Sequence, residues 1–229
     1  MLPVAILAGG LATRLRPLTE AIPKALLPIR GEPFLAHQLR LLSRSGIDRA
    51  VLCLGYLGGQ IQNYTGDGAA FHLRLDYSFD GPTPLGTAGA LRKALPLLGD
   101  EFLVLYGDSY LPCDYGAVEN AFHAAGKAAL MTVFRNRGLW DSSNVEFSES
   151  RIRAYDKTNR TPEMHYIDYG LGVMRREVFE AVPGGPADLA AVYQDCLRRG
   201  ELAGFEVAER FYEIGSPQGI HDLEEFLSR

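Results

Sequence analysis

Apolar and polar residues switch between two periods along this chain, and the switches mark out strands and helices. Pro3 to Ala8 is a short apolar run stopped by Gly9-Gly10, the pattern of a strand buried on both faces of a parallel sheet. Residues 33–45 place apolar side chains at helical spacing, with Pro33 near the start and Gly46 just past the end. Arg49 to Leu54 reads as a second buried strand and Phe71 to Tyr77 as an alternating one. Thr87 to Leu95 has the helical pattern, and Glu101 to Tyr106 is a strand ending at Gly107-Asp108. Tyr115 to Ala125 reads as a helix and Ala128 to Phe134 as a strand.

This rhythm predicts an α/β protein: three layers, with a mainly parallel sheet covered by helices on both faces. Residues 135–175 break the rhythm. Asn144–Phe147, Arg151–Tyr155 and Tyr166–Met174 are short strand-like pieces around a polar loop, Asp156 to His165. They are expected to form a small β-rich insertion packed over the sheet. Helices near 188–199 and 216–228 finish the chain. No repeat or linker interrupts it, so residues 1–229 are expected to form one domain. Its parts are then roughly 1–134 and 135–229.

Ligands on such sheets bind beyond the carboxyl ends of the strands. Two loops are therefore candidates at once: residues 9–24 and 107–112. In the first, Gly9 and Gly10 let backbone amides approach a phosphate closely, and Arg14 and Lys24 supply charge. The loop lacks the Gly-Lys-Ser/Thr of a Walker A motif and the G-x-G-x-x-G of a dinucleotide fingerprint. In the second, Asp108 stands at a strand tip, where a carboxylate can meet Mg²⁺ or cap a turn.

Composition narrows the classes. Net charge is -5, with 23 Lys+Arg against 28 Asp+Glu, which argues against nucleic acid or an anionic membrane as partner. Cys53, Cys113 and Cys196 are scattered, without a C-x-x-C pair. That fits free thiols in a reducing cytoplasm. The N-terminal apolar run lacks a basic leader and reads as a first strand. No stretch approaches the ~20 apolar residues of a membrane span. The five histidines show no metal-ligand spacing, and no G-x-S-x-G elbow occurs.

The string from Gly9 through Thr13-Arg14-Leu15-Arg16-Pro17-Leu18-Thr19 to Pro23-Lys24-Ala25-Leu26-Leu27-Pro28 resembles the signature of the sugar-1-phosphate nucleotidylyltransferases. Ala12 stands where many members have Gly. The resemblance implies a Rossmann-like nucleotidyltransferase fold and an enzyme that joins an NTP to a sugar 1-phosphate, with pyrophosphate as the other product. It implies nucleotide contacts from Leu7, Ala8, Gly9, Gly10, Thr13, Arg14 and Lys24. Pro82 to Leu91 is similar to the family's nucleobase segment, implicating Pro84, Gly86 and Thr87, and looks most like that of mannose and heptose guanylyltransferases. Thr87 also suits a helix N-cap.

Asp108, with Glu213 from Phe211-Tyr212-Glu213-Ile214-Gly215-Ser216, would bind Mg²⁺ or Mn²⁺; the family commonly has Asp at the second position. Tyr155-Asp156-Lys157 is similar to an E-K-P segment, which assigns Asp156 to sugar hydroxyls and Lys157 to the sugar phosphate. Asn144, Asp168 and Gly170 match positions flanking the sugar, with Asp168 equally readable as a buried structural acid. Arg14, Lys24 and Lys157 would then carry catalysis. Uridylyl, thymidylyl or cytidylyl transfer stays open beside GTP, as do a silent nucleotide-sugar sensor and a molybdopterin-type transferase sharing L-A-G-G. The sugar and the oligomeric state, a homo-oligomer included, are not fixed by these residues.

Overall fold

A computed structural model describes residues 1–10, 15 and 19–229. Among these, nine strands form one sheet. Its parallel half holds β1 (Val4–Leu7), β4 (Arg49–Leu54), β5 (Arg74–Phe79) and β6 (Glu101–Tyr106), in the order β5-β4-β1-β6. Alternate side chains serve opposite faces. Val4 and Ile6 pack toward α1 (Phe34–Arg44), α2 (Gly58–Thr65) and α4 (Tyr115–Ala125). Ala5, Val51 and Cys53 pack toward α3 (Gly86–Leu98) and α5 (Leu189–Arg198). Leu91 on α3 is fully buried there. Truncating it to Ala costs about 2–5 kcal/mol through lost transfer energy and the cavity left behind.

The stretch expected to lie over the sheet lies in it instead. β11 (Tyr166–Arg175) runs antiparallel between β6 and β8 (Ala129–Arg135), and β12 (Leu202–Val207) adds parallel to β8. β9 (Val145–Ser148) pairs with β10 (Arg151–Tyr155) and meets β11 at Tyr166. One edge of β11 thus passes from β9 at Tyr166 to β6 at Leu171. Between them its register against β8 shifts at Asp168–Gly172, with Gly170 at φ 95°. A bulge here bends the strand and re-aims its side chains.

Other differences are local. The strand expected from Phe71 starts at Arg74, because Ala69–Phe71 is a 3₁₀ turn and His72 adopts φ 56°. Phe71 and Leu73 are buried nonetheless, which produced the alternation. The helix expected over 87–95 runs from Gly86 through Pro96 to Leu98. Two small two-stranded sheets, the hairpin of β2 (Pro28–Ile29) with β3 (Glu32–Pro33) and the long-range antiparallel pair of β7 (Ser109–Tyr110) with β13 (Tyr212–Glu213), pack under α6 (Pro217–Phe226).

Candidate active site

A cavity of about 380 Å³ opens at the carboxyl ends of β1, β4 and β6. After β1 the chain stays pinned between its neighbours: Ala8 N donates to Cys53 O at 2.9 Å, and Gly107 N donates to Leu7 O at 2.9 Å. Small residues permit this approach. A Cβ on Gly55 would fall 2.6 Å from Gly9 O, and one on Gly107 would fall 2.8 Å from Leu7 O. Leu7, Ala8, Gly9 and Gly10 line the cavity floor with Lys24, Tyr106 and Asp108. Thr13 and Arg14 lie outside the described residues.

Lys24, on a 3₁₀ turn after Pro23, reaches across so that its Nζ sits 2.6 Å from Asp108 Oδ2. Glu213 arrives at the same place through the antiparallel β7–β13 pair, where it stands opposite Ser109. Ile214 N donates to Asp108 O at 3.0 Å. Lys24 Nζ and Glu213 Oε2 lie 3.5 and 3.9 Å from where a Cβ on Gly215 would stand. The two carboxylates therefore share one neighbourhood. Two hard oxygen donors suit Mg²⁺ or Mn²⁺ when substrate phosphates complete the shell. Among the described residues, no group of three or more His, Cys, Asp or Glu gathers to hold a metal unaided.

Pro84, Gly86 and Thr87 also line the cavity. Thr87 is not the cap of its own helix, because α3 begins one residue earlier. Its hydroxyl instead accepts from Leu189 N at 2.7 Å and donates to Asp188 Oδ1 at 3.2 Å, tying α3 to the start of α5. Ala187 O accepts Ala88 N at 2.9 Å. Gly86, at φ 68°, would bring a Cβ to 2.6 Å from that same oxygen.

The sugar-side candidates gather at the bulge of β11. Asn144 Oδ1 accepts Asp168 N at 2.9 Å, and Asn144 O accepts Asp156 N at 3.0 Å. Asp168 accepts from Tyr155 Oη at 3.0 Å and from Gly170 N at 3.1 Å. Lys157 Nζ lies 3.9 Å from Asp168 Oδ2 and 5.4 Å from the centre of the Tyr106 ring. Burial pushes the Asp168 carboxyl up, opposed by Lys157, Tyr155 and Gly170. Asp156 is turned to its own loop: Oδ1 accepts Thr158 N, Thr158 Oγ1 and Asn159 N, and Oδ2 accepts Asn159 Nδ2. These bonds, the amide of Asn159 foremost, hold its carboxyl well below the usual carboxylate range.

Residues 4–141 match the family described as nucleotidyl transferase. The chain belongs to that family. N-acetylmuramate alpha-1-phosphate uridylyltransferase of Neisseria meningitidis serogroup B is 31% identical over 218 residues, covering 92% of both chains. Mannose-1-phosphate guanylyltransferase of Mycobacterium tuberculosis is also 31% identical, over 93% of this chain and 61% of that protein. HddC from Yersinia pseudotuberculosis, crystallised with GMP-PN, superposes with a TM-score of 0.84 at 23% identity, over 99% of this chain and 100% of that one.

Several lining residues of this nucleotidyl transferase escaped sequence reasoning. Tyr106, Cys53, Asp80, Ala90 and Gly215 all face the cavity. Cys53 and Tyr106 sit at the carboxyl ends of β4 and β6, and Asp80 directly follows β5. The rule that ligands lie beyond those strand ends applies equally to all three. Asp80 Oδ2 accepts Leu85 N at 3.0 Å, holding the Pro84–Gly86 turn. Among the described residues, no helix is long and apolar enough to cross a membrane.

Proposed function

We propose that this chain transfers a nucleoside monophosphate from an NTP to a sugar 1-phosphate. A phosphate oxygen of the sugar attacks the α-phosphorus, a new P–O–P bridge forms, and the α–β bridge breaks as pyrophosphate leaves with the bonding electrons. The observation that carries this reading is the pair of cationic stations flanking one cavity. Lys24 stands on the Asp108 side, and Lys157 stands over the ring of Tyr106, which lines the same cavity.

Two phosphorylated molecules repel each other, so the protein must supply charge and alignment. Lys24, joined by Arg14 on the resemblance, neutralises the triphosphate and the leaving pyrophosphate. Lys157 aligns the sugar phosphate. Asp108 and Glu213 would hold Mg²⁺ or Mn²⁺, which supplies further neutralisation of phosphate charge. A sensor would not need charged side chains at both stations.

GTP is the favoured donor. The segment from Pro84 to Gly89 is similar to that of guanylyltransferases, and Asp80 adds a carboxylate acceptor at this end of the cavity. Guanine carries an N2 amino donor that uracil lacks. Uridylyl transfer is the second reading, favoured by the Neisseria relative, which this chain covers over nearly its whole length. Pyrophosphate release, measured for each NTP against mannose, heptose, N-acetylmuramate and glucose 1-phosphates, tests both. Guanylyl transfer predicts the fastest release with GTP. Release with UTP alone selects the second reading, and no release in any combination overturns the enzyme.

A further inference from the structure

We infer that Asp168, backed by Tyr155, is the positioning residue of Lys157 and not a contact to the sugar. The inference rests on the reading of Lys157 as the sugar-phosphate cation. Tyr155 Oη and Lys157 Nζ converge on the same oxygen, Asp168 Oδ2, at 3.0 and 3.9 Å. The other oxygen, Oδ1, accepts Gly170 N at 3.1 Å inside the β11 bulge. The Asp168 side chain is only 6% exposed, whereas that of Lys157 is 41% exposed. A carboxylate so enclosed is poorly placed to meet sugar hydroxyls. The ammonium beside it remains open to a phosphate.

The surroundings hold this arrangement from every side. Asn144 Oδ1 fixes the backbone of Asp168, and the hydrogen bonds of Asp156 fix the turn that carries Lys157. Gln194 Nε2 on α5 donates to Tyr155 O at 3.2 Å, and the Tyr193 ring packs edge-on against Tyr155. The titratable groups facing Asp168 are Lys157, Tyr155, Tyr106 and Tyr193. Burial pushes all three phenols up, which keeps them neutral donors, and Lys157 is the one basic side chain among these four.

Physically, a fixed and buried carboxylate 3.9 Å from an ammonium limits the positions that ammonium can take. When a sugar phosphate arrives, Lys157 gains a second anion while Oδ2 keeps the Tyr155 hydroxyl. Asp168 is thus never left buried without a donor, which would be costly.

The test uses Asp168→Asn and Tyr155→Phe in the full chain, with thermal unfolding as the check on folding. Trace acetylation at a single pH, read by peptide mass spectrometry, follows the reactivity of the Lys157 amine without any turnover. In Asp168→Asn the labelling of Lys157 is expected to quicken severalfold once its buried tether is gone; an unchanged rate overturns the inference. In steady state, the same variant is expected to lose about tenfold in kcat with the sugar 1-phosphate, because Lys157 no longer holds the phosphate in line. A raised KM at unchanged kcat makes Asp168 a sugar contact and overturns it equally. Tyr155→Phe removes a bond that favours ionised Asp168, so the acid limb of kcat/KM moves to higher pH; an unmoved limb counts against the role of Tyr155. A wild-type chain that releases no pyrophosphate refutes the proposed function, while the labelling still decides whether Asp168 governs Lys157.

Discussion

Lys24 and Asp108, 84 positions apart, meet at 2.6 Å beside the tip of β6. The pair places each group on the cavity wall, within reach of a phosphorylated ligand. Both side chains are partly solvated, 16% exposed for Lys24 and 38% for Asp108, so the pair contributes only about 1 kcal/mol or less to stability. Its value lies in the site. Asp108→Ala and Lys24→Ala are therefore expected to melt close to wild type while losing about 100-fold or more in pyrophosphate release. Unchanged turnover in either variant removes that residue from the mechanism.

Asp80 offers the cavity a carboxylate next to the Pro84–Gly86 turn. Asp80→Asn keeps an oxygen for Leu85 N but removes the charge. If guanine donors meet this group, kcat/KM for GTP falls about tenfold or more, since a hydrogen bond to a charged group is worth about 1.5–3 kcal/mol. KM for the sugar 1-phosphate stays near the wild-type value. Competition between GTP and UTP reads the change directly, and an unaltered ratio assigns Asp80 to the turn alone.

Gly86 has no room for a side chain: its φ is 68°, and a Cβ there would stand 2.6 Å from Ala187 O. Gly86→Ala is expected to push the 187 segment off α3, at a cost of about 1–3 kcal/mol. Because the residue also lines the cavity, KM for the NTP rises while that for the sugar 1-phosphate does not. Thermal unfolding and the two KM values together check this.

Burial disfavours the thiolate of every cysteine. Cys53 and Cys113 are pushed up to about 12 and Cys196 to about 11. At mildly alkaline pH the folded chain therefore carries almost no thiolate, whereas unfolded cysteines titrate near about 8.5. Iodoacetamide is expected to leave the native protein unmodified and to alkylate all three cysteines in denaturant, as intact mass would show. Rapid native alkylation of Cys53 would contradict its placement under the cavity.

Much of the parallel half was legible because periodicity reports burial. Arg49–Leu54, Glu101–Tyr106 and Tyr115–Ala125 fold over the ranges their patterns mark. The α2 helix was not legible: it opens with Gly58-Gly59 and buries little beyond Ile61, so no stripe betrays it. The edge strand β12, with Gly204 in its middle, carries an equally weak pattern. Thr87 misled for another reason. A hydroxyl before a helix reads as a cap, yet its partners, Asp188 and Leu189, lie a hundred positions away.

What the sequence determined by itself was the chemistry on offer: two glycines after a first strand, cations at 24 and 157, acids at 108 and 213, and the alternation that builds a layered sheet. These are local properties, written in residue type and period. Tertiary structure decided which groups face one another. It turned residues 144–175 into strands of the sheet itself, bulged β11 at Asp168, and set Tyr155 and Lys157 on a single carboxylate oxygen. Such contacts join segments distant in the chain, and their geometry follows from packing two faces of one sheet at once, which no local pattern encodes.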